Sequence, residues 1–185
     1  YELWAIRSGD PRPSIASVTS TTSNGTYKLG DEINITVNFS ESVTLSSGGS
    51  MTVTLETGSN DRTVSMTWSG SATSASGTYT VQVGDASSDL NAKAISVSGT
   101  ISDASDQAMV DFSIGSNLAS SKAIVVDALS PTVASVKSTS NNTTYGTGGT
   151  INITVNFSEK VTLTGNDSAM VVTLETGSTD RTVSM

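Results

Sequence analysis

Carboxylates set in turns are the side chains of this chain with the clearest potential for chemistry. Calcium takes six to eight oxygen ligands, and loops with several aspartates supply them together with backbone carbonyls. The candidate ligands are Asp127, Glu159, Asp85, Asp89, Glu41, Asp103 and Asp106. The alternative is that these acids cap turns and solvate loop tips. Calcium is therefore the one cofactor that the sequence indicates.

The elements around these acids decide which of them meet. In a sandwich of seven strands the loops divide between two ends. We expect one group at each end: Glu41, Asp103 and Asp106 with the linker near Asp10 at the first, and Asp31, Asp85 and Asp89 at the second. Asp127 and Glu159 would flank a junction between two repeats, where calcium would neutralise clustered charge and stiffen the joint.

Catalytic chemistry lacks its usual groups in this chain. The sequence contains no histidine and no cysteine, so nucleophilic triads have no base, and disulfides and thiolate metal sites are excluded. The glycine-rich residues 146–149 are too few for a phosphate loop and lack its Gly-Lys-Ser/Thr ending. We expect no enzymatic activity and no catalytic residue.

Four asparagines stand in Asn-x-Ser/Thr triplets on strands that the sequence predicts. They are Asn34, Asn38, Asn152 and Asn156. Their alternation with apolar residues predicts that they face outward, where a glycan could be attached. Because serine and threonine are abundant, such triplets also arise by chance. The sequence leaves both interpretations open.

The charge balance limits the partners of the chain. There are 17 acidic and 9 basic residues, for a net charge of −8. A surface of this sign repels phosphate backbones, so we expect no nucleic-acid binding. No apolar run approaches the roughly 20 residues that cross a bilayer. The composition fits an extracellular or cell-surface protein.

An internal repeat organises the chain. Residues 13–45 match residues 131–163 at an offset of 118, and both contain the nine-residue run INITVNFSE. After a one-residue insertion, TVTLETGSNDRTVSM at 52–66 matches VVTLETGSTDRTVSM at 171–185. Self-similarity at a fixed period is the signature of repeat architectures. We predict three segments: 1–12 is the end of a preceding domain or a linker, 13–130 is one repeat, and 131–185 is a second, incomplete repeat that continues in a longer chain.

Apolar residues alternate with polar ones, which predicts strands with one buried face. The alternating positions are Ile33, Ile35, Val37 and Phe39; Met51, Val53 and Leu55; Val64, Met66 and Trp68; Tyr79, Val81 and Val83; and Ile95, Val97 and Ile101. Turn residues such as Asn24-Gly25 and Gly84-Asp85 separate these runs. Seven to nine short strands in about 118 residues predict an all-β, immunoglobulin-like β-sandwich. Trp68 is expected to fill the core, with its indole N–H on a backbone carbonyl.

Four stretches carry a resemblance to a known family. They are SNGTYKLGDEINITVNFSESVTL, TYTVQVGDASSDL, ISDASDQA and KAIVVDALSPTV. Together they resemble the bacterial immunoglobulin-like tandem repeat of giant surface adhesins and cell-surface filament proteins. The resemblance covers nearly all of the chain after residue 12, but the turn at 103–107 lacks the glycine of the family pattern. It implies tandem sandwich domains.

Three functions follow as expectations. The first is a structural spacer or stalk in a large secreted bacterial or archaeal adhesin, whose partners are the neighbouring repeats of the same chain. The second is a subunit of a self-assembling extracellular filament or sheath, with lateral self-association. The third is a glycan-binding surface module, for which Tyr27 and Tyr145 are the recurrent aromatic pair, although we favour a role for both as corner tyrosines that hold the sandwich. We favour the spacer because aromatics are only 5 % of the chain and fall mostly on core positions.

Overall fold

The computed structural model describes residues 12–164 and 170–185 of a chain that divides into two compact units, Tyr1–Leu129 and Ser130–Met185. The preceding segment predicted at 1–12 lies outside the described residues, apart from Arg12. The described residues form strands and one short 3-10 helix, Leu118–Ser120, and no α-helix. The prediction of an all-β chain is confirmed.

The strands of unit 1 follow the alternation seen in the sequence. They are β1 (Ile15–Thr19), β2 (Gly25–Tyr27), β3 (Glu32–Leu45), β4 (Ser50–Glu56), β5 (Arg62–Met66), β6 (Ser71–Thr80), β7 (Ala86–Ser87), β8 (Asn91–Ser98), β9 (Ile101–Ser102), β10 (Ile114–Ser116) and β11 (Ile124–Asp127). Val83 was predicted on the inner face of the strand that contains Tyr79. This prediction is wrong, because β6 ends at Thr80 and Val83 lies exposed in the following turn.

These strands form three sheets. The first has the order β10-β1-β3-β6, with β9 also paired to β3; the second has the order β5-β4-β8; and the third is β2-β11-β7. Two pairs, β1 with β10 and β2 with β11, are parallel, and the other pairs are antiparallel. The first two strands of unit 1 are thus each hydrogen-bonded to one of its last two strands.

One core joins the sheets, as expected of a β-sandwich. Its members from β3 include Ile33, Ile35 and Val37, and those from β4 include Met51, Val53 and Leu55, all fully buried. Strands with one apolar and one polar face are stable only when the apolar face is covered. The period of two in β3 and β4 therefore decides which face becomes the interior.

Gly77 of β6 lies directly against β5. A Cβ atom at this position would lie 2.5 Å from Cγ1 of Val64 and 3.3 Å from Cγ of Met66. Since real Cβ contacts are essentially never that short, no residue with a side chain fits here without movement. The glycine lets the first and second sheets pack directly on each other.

Unit 2 contains β12 (Val133–Lys137), β13 (Thr154–Phe157), β14 (Val171–Leu174) and β15 (Arg181–Ser184). β12 pairs with β13, and β14 pairs with β15. Each ladder repeats the register of its counterpart in unit 1: Val136 opposite Val155 copies Val18 opposite Val37 at the offset of 118. The same register shift follows the first residue of β1 and of β12.

The two units differ in burial. Val18 and Ile33 of unit 1 are 0 % exposed, whereas their copies Val136 and Ile151 in unit 2 are 51 % and 52 % exposed. In unit 1, strands from residues 67–129 cover these apolar side chains. Unit 2 matches only residues 13–66, the part of unit 1 that precedes those strands.

Candidate functional site

A buried and fully hydrogen-bonded polar site lies at the turn between β6 and β7. Asp85, 1 % exposed, accepts hydrogen bonds from Arg62 Nε at 2.7 Å, the Tyr79 hydroxyl at 2.6 Å and the Gln82 backbone N–H at 2.8 Å. Tyr79 comes from β6 and Arg62 from β5. Both oxygens of the carboxylate are engaged, so the site ties the turn to two strands.

Burial and hydrogen bonding shift the pKa values of this site in opposite directions. Burial alone would raise the pKa of Asp85, but the hydrogen bonds from Tyr79, Gln82 and Arg62 outweigh it and hold that pKa below its usual value. Burial, followed by the hydrogen bond to Asp85, raises the pKa of the Tyr79 hydroxyl. A neutral tyrosine beside an ionised aspartate is a stable arrangement at neutral pH.

A second buried carboxylate shapes the turn after β9. Oδ1 of Asp103 accepts from the backbone N–H groups of Ser105 and Gln107, each at 2.8 Å. Oδ2 is buried and has no hydrogen-bond partner, and the whole residue is 5 % exposed. Asp106 closes the turn with φ of +59°. A buried carboxylate oxygen without a partner is costly, so a water or a cation at this atom would stabilise the turn.

The other predicted calcium ligands are dispersed. Glu41 lies half-buried in β3, Asp89 is exposed before β8, Asp127 is exposed at the end of β11, and Glu159 is exposed after β13. Among residues 12–164 and 170–185, no three acidic side chains come close enough to hold a metal ion. Calcium binding at the two expected groups of acids therefore stays a prediction.

The four predicted glycosylation asparagines face outward and are hydrogen-bonded. Asn38 Nδ2 donates to Ser17 Oγ at 3.0 Å, and Asn156 Nδ2 makes the copied bond to Ser135 Oγ at 3.1 Å. Asn34 and Asn152 each accept from a threonine hydroxyl two residues along the strand. A glycan on Asn38 or Asn156 would replace a bond that joins two strands.

The aromatic side chains are tied to the fold. Trp68 is half-buried against Phe39, with ring centroids 5.4 Å apart, and its Nε1 donates to the Val43 carbonyl at 3.4 Å. The hydroxyls of Tyr27 and Tyr145 each donate to a carbonyl four residues earlier in the chain. The predicted carbonyl partner of Trp68 is confirmed, although the ring packs at the edge of the core.

Trp68 also forms one wall of an open depression of about 460 Å³. The remaining lining comes from residues 45–49 and from Thr67, Ser69 and Gly70. No charged side chain lines it, so the depression offers no general acid or base.

Sequence reasoning missed the Arg62–Tyr79–Asp85 network. Its signal was the repeated string DRTVSM, which places an arginine at Arg62 and again at Arg181. In unit 1 this arginine stands at the start of β5 and pairs with Asp85, which is more than 20 residues away in sequence.

Comparison with known proteins identified no relative, so the roles given to these residues rest on the geometry alone. In the described residues there is no helix long and apolar enough to cross a bilayer. No protein-family model matches the chain, and neither a curated protein nor a solved structure matches it.

Proposed function

We propose that this chain is a structural spacer segment of a secreted microbial surface adhesin, made of tandem immunoglobulin-like repeats. The observation that carries the proposal is the repeated register: β12–β13 copies β1–β3, and β14–β15 copies β4–β5. Near-identical units with the same internal pairing are what an array requires. Each added copy supplies length without new chemistry.

The immunoglobulin-like assignment is supported by the size and layering of unit 1. Its three sheets share one core within about 118 residues, the range of such domains. The abundance of Thr and Val on these strands favours a half-buried pleated surface.

The terminal strands of unit 1 are paired in an arrangement that resists a pulling force. β1 and β2 pair in parallel with β10 and β11. When the two ends of such a unit are pulled apart, parallel terminal strands are loaded along their length, so the hydrogen bonds of each ladder share the force. A stalk that spans distance needs this resistance.

Single-molecule stretching of the 185-residue chain tests the spacer proposal. We expect residues 12–129 to unfold in one event that releases up to about 40 nm, at ~3.6 Å per residue. Gly115→Ala should lower the force, because a Cβ there would meet the Ala16 carbonyl of β1 at 2.7 Å. Gly146→Ala, where no atom lies within 4 Å, is the matched control. Extension of unit 1 without a force peak contradicts a mechanical role.

Self-assembly into a filament is the second candidate, and the edge strands of unit 1 favour it. Among the described residues, β5 and β8 each pair with β4 only, which leaves edges that can template another chain. Sedimentation across a concentration series separates the candidates: open-ended growth favours the filament, and a constant mass favours the spacer.

Calcium remains a proposal, and its best site is the turn at Asp103. The unpartnered Oδ2 would accept a cation that also binds backbone carbonyls of the turn. We expect millimolar calcium to raise the unfolding midpoint over that in EDTA, and Asp103→Asn to remove the increase, since a bound ion stabilises by mass action. An unchanged midpoint would discard the site.

A further inference from the structure

The chain leaves unit 1 after β11, and two reciprocal backbone hydrogen bonds hold it to one turn just before it leaves. The Ala128 N–H donates to the Asp85 carbonyl at 2.9 Å, and the Gly84 N–H donates to the Ala128 carbonyl at 3.0 Å. Ala128 is buried, whereas Leu129, the last residue of unit 1, is 56 % exposed. A pull on the chain beyond Leu129 therefore reaches unit 1 first at this pair of bonds.

The side chain of Asp85 fixes the same turn to the rest of the fold. Its carboxylate accepts hydrogen bonds from Arg62 Nε at 2.7 Å and from the Tyr79 hydroxyl at 2.6 Å. Arg62 stands on β5 in the second sheet, and Tyr79 stands on β6 in the first sheet. One residue thus holds the departing chain with its carbonyl and two sheets with its carboxylate.

The ladders of β11 itself are short. β11 pairs in parallel with β2 over three residues, Ile124 to Val126, and antiparallel with β7 over two, Val126 and Asp127. The two-residue strand β7 directly follows the turn at Asp85. Because so short a strand offers few bonds of its own, it resists a pull on β11 only as far as the turn before it is fixed.

We propose that Asp85, Arg62 and Tyr79 form a mechanical latch, which passes tension from the chain beyond Leu129 into the first and second sheets. This inference rests on the proposed spacer function, because a latch has a role only in a chain under load. Hydrogen bonds to an ionised group are shorter and stronger than neutral ones. Asp85 is 1 % exposed, so water has little access to replace a donor while these bonds are under strain.

Stretching the 185-residue chain in two pulling arrangements tests the latch. The chain has no cysteine, so introduced cysteines serve as unique handles. With Ser14→Cys and Ser130→Cys the force leaves unit 1 through β11, and with Ser14→Cys and Ser121→Cys it leaves before β11. All three serines are exposed. At constant force, Asp85→Asn should shorten the lifetime of folded unit 1 by a factor at least about tenfold larger in the first arrangement than in the second.

Gly77→Ala is the matched control, since it disturbs the packing of β6 on β5 away from the departing chain. It should shorten the lifetime by the same factor in both arrangements. Tyr79→Phe keeps the buried ring and removes one donor to the latch, so it should show the same preference for the first arrangement as Asp85→Asn, to a smaller extent. Urea unfolding of each variant before stretching establishes that unit 1 is folded.

Equal acceleration by Asp85→Asn in the two arrangements overturns the latch, because it would show that the carboxylate only stabilises the fold as a whole. Should Asp85→Asn fail to fold, equal acceleration by Tyr79→Phe overturns it in the same way. These outcomes leave the spacer role intact as long as the wild-type chain shows a force peak for unit 1. A wild-type chain without that peak contradicts the spacer role itself.

Discussion

At the scale of single residues, the polar chemistry of this chain holds turns and strands together. Asp85 uses both carboxylate oxygens on Arg62, Tyr79 and the Gln82 N–H, in a position where water is excluded. A buried carboxylate with this many donors contributes to stability only while it is ionised. The stability of unit 1 should therefore depend on pH through this residue.

Asp85→Asn should destabilise unit 1 by about 2–3 kcal/mol at pH 7, because Arg62 and Tyr79 lose a charged partner. The folded pKa of Asp85 lies below its unfolded value of about 3.9. Its stabilisation is therefore full above that unfolded value and is lost as the pH falls through the folded pKa. Urea unfolding at pH 7 and at pH 2.5 should show the gap between wild type and variant shrinking in acid.

Tyr79→Phe is the companion variant. It removes the hydroxyl that donates to Asp85 and keeps the buried ring, so we expect a loss of about 1.5–3 kcal/mol at pH 7. A gap between wild type and Asp85→Asn that is equal at both pH values would show that the carboxylate is not ionised in the folded state.

At the scale of elements, identical sequences form strands of different length in the two units. INITVNFSE belongs to the 14-residue strand β3 in unit 1, but in unit 2 the strand β13 covers Thr154–Phe157. β3 pairs with β1, β6 and β9, whereas β13 pairs with β12 among the described residues. Similarly, β2 pairs with β11, and the matching residues 143–145 form no strand. Strand length here is set by partners and not by propensity.

Hydrogen exchange should report this difference directly. The amides of Ile35 and Val37 lie in a strand paired on both sides, and those of Ile153 and Val155 lie in or beside a strand with one free edge. We expect exchange in unit 2 to be at least about a hundredfold faster at these matched positions. Because the local sequences are identical, intrinsic exchange rates cancel. Equal protection would mean that unit 2 is closed by other contacts.

Gly77 tests how tightly the sheets pack. Gly77→Ala places a Cβ against Val64 and Met66, and overpacking of this kind costs about 1–3 kcal/mol. Chemical denaturation measures the loss. Ser74→Ala, at an exposed position of the same strand, is the control and should change stability by less than about 0.5 kcal/mol. A neutral Gly77→Ala would indicate that the sheets separate easily.

At the scale of the whole molecule, the net negative charge opposes the association that the exposed apolar residues of unit 2 favour. The chain carries −8 at neutral pH, which favours separate molecules, while Val133, Val136 and Ile151 are exposed. The isoelectric point is about 4.3. Lowering the pH towards this value removes the repulsion before Asp85 is protonated.

Light scattering should therefore show more association at pH 4.3 than at pH 7. Val136→Ser reduces the apolar surface of unit 2 and should lower the association at pH 4.3, whereas Ser138→Ala, exposed and just beyond β12, should not. Association that is independent of pH would show that charge does not control it.

The alternation of side chains predicted much of this fold. The inward positions of β3, β4 and β5 are buried as predicted, because a period of two leaves one choice of face. Val83 was misplaced because the turn fixed by Asp85 ends the strand earlier. The relative positions of the acids expected at the two ends could not be predicted in the same way, because they depend on the packing of distant strands.

Composition, alternation and the internal match by themselves determined the all-β class, the inward faces and the copied ladders, because these depend on short-range order along the chain. Tertiary structure alone decided that Arg62 meets Asp85 and that β1 and β2 pair in parallel with β10 and β11. It also decided that one copy of a shared sequence is buried and the other exposed. The physical reason is that burial depends on the surface that arrives from elsewhere, and a strand does not encode its own cover.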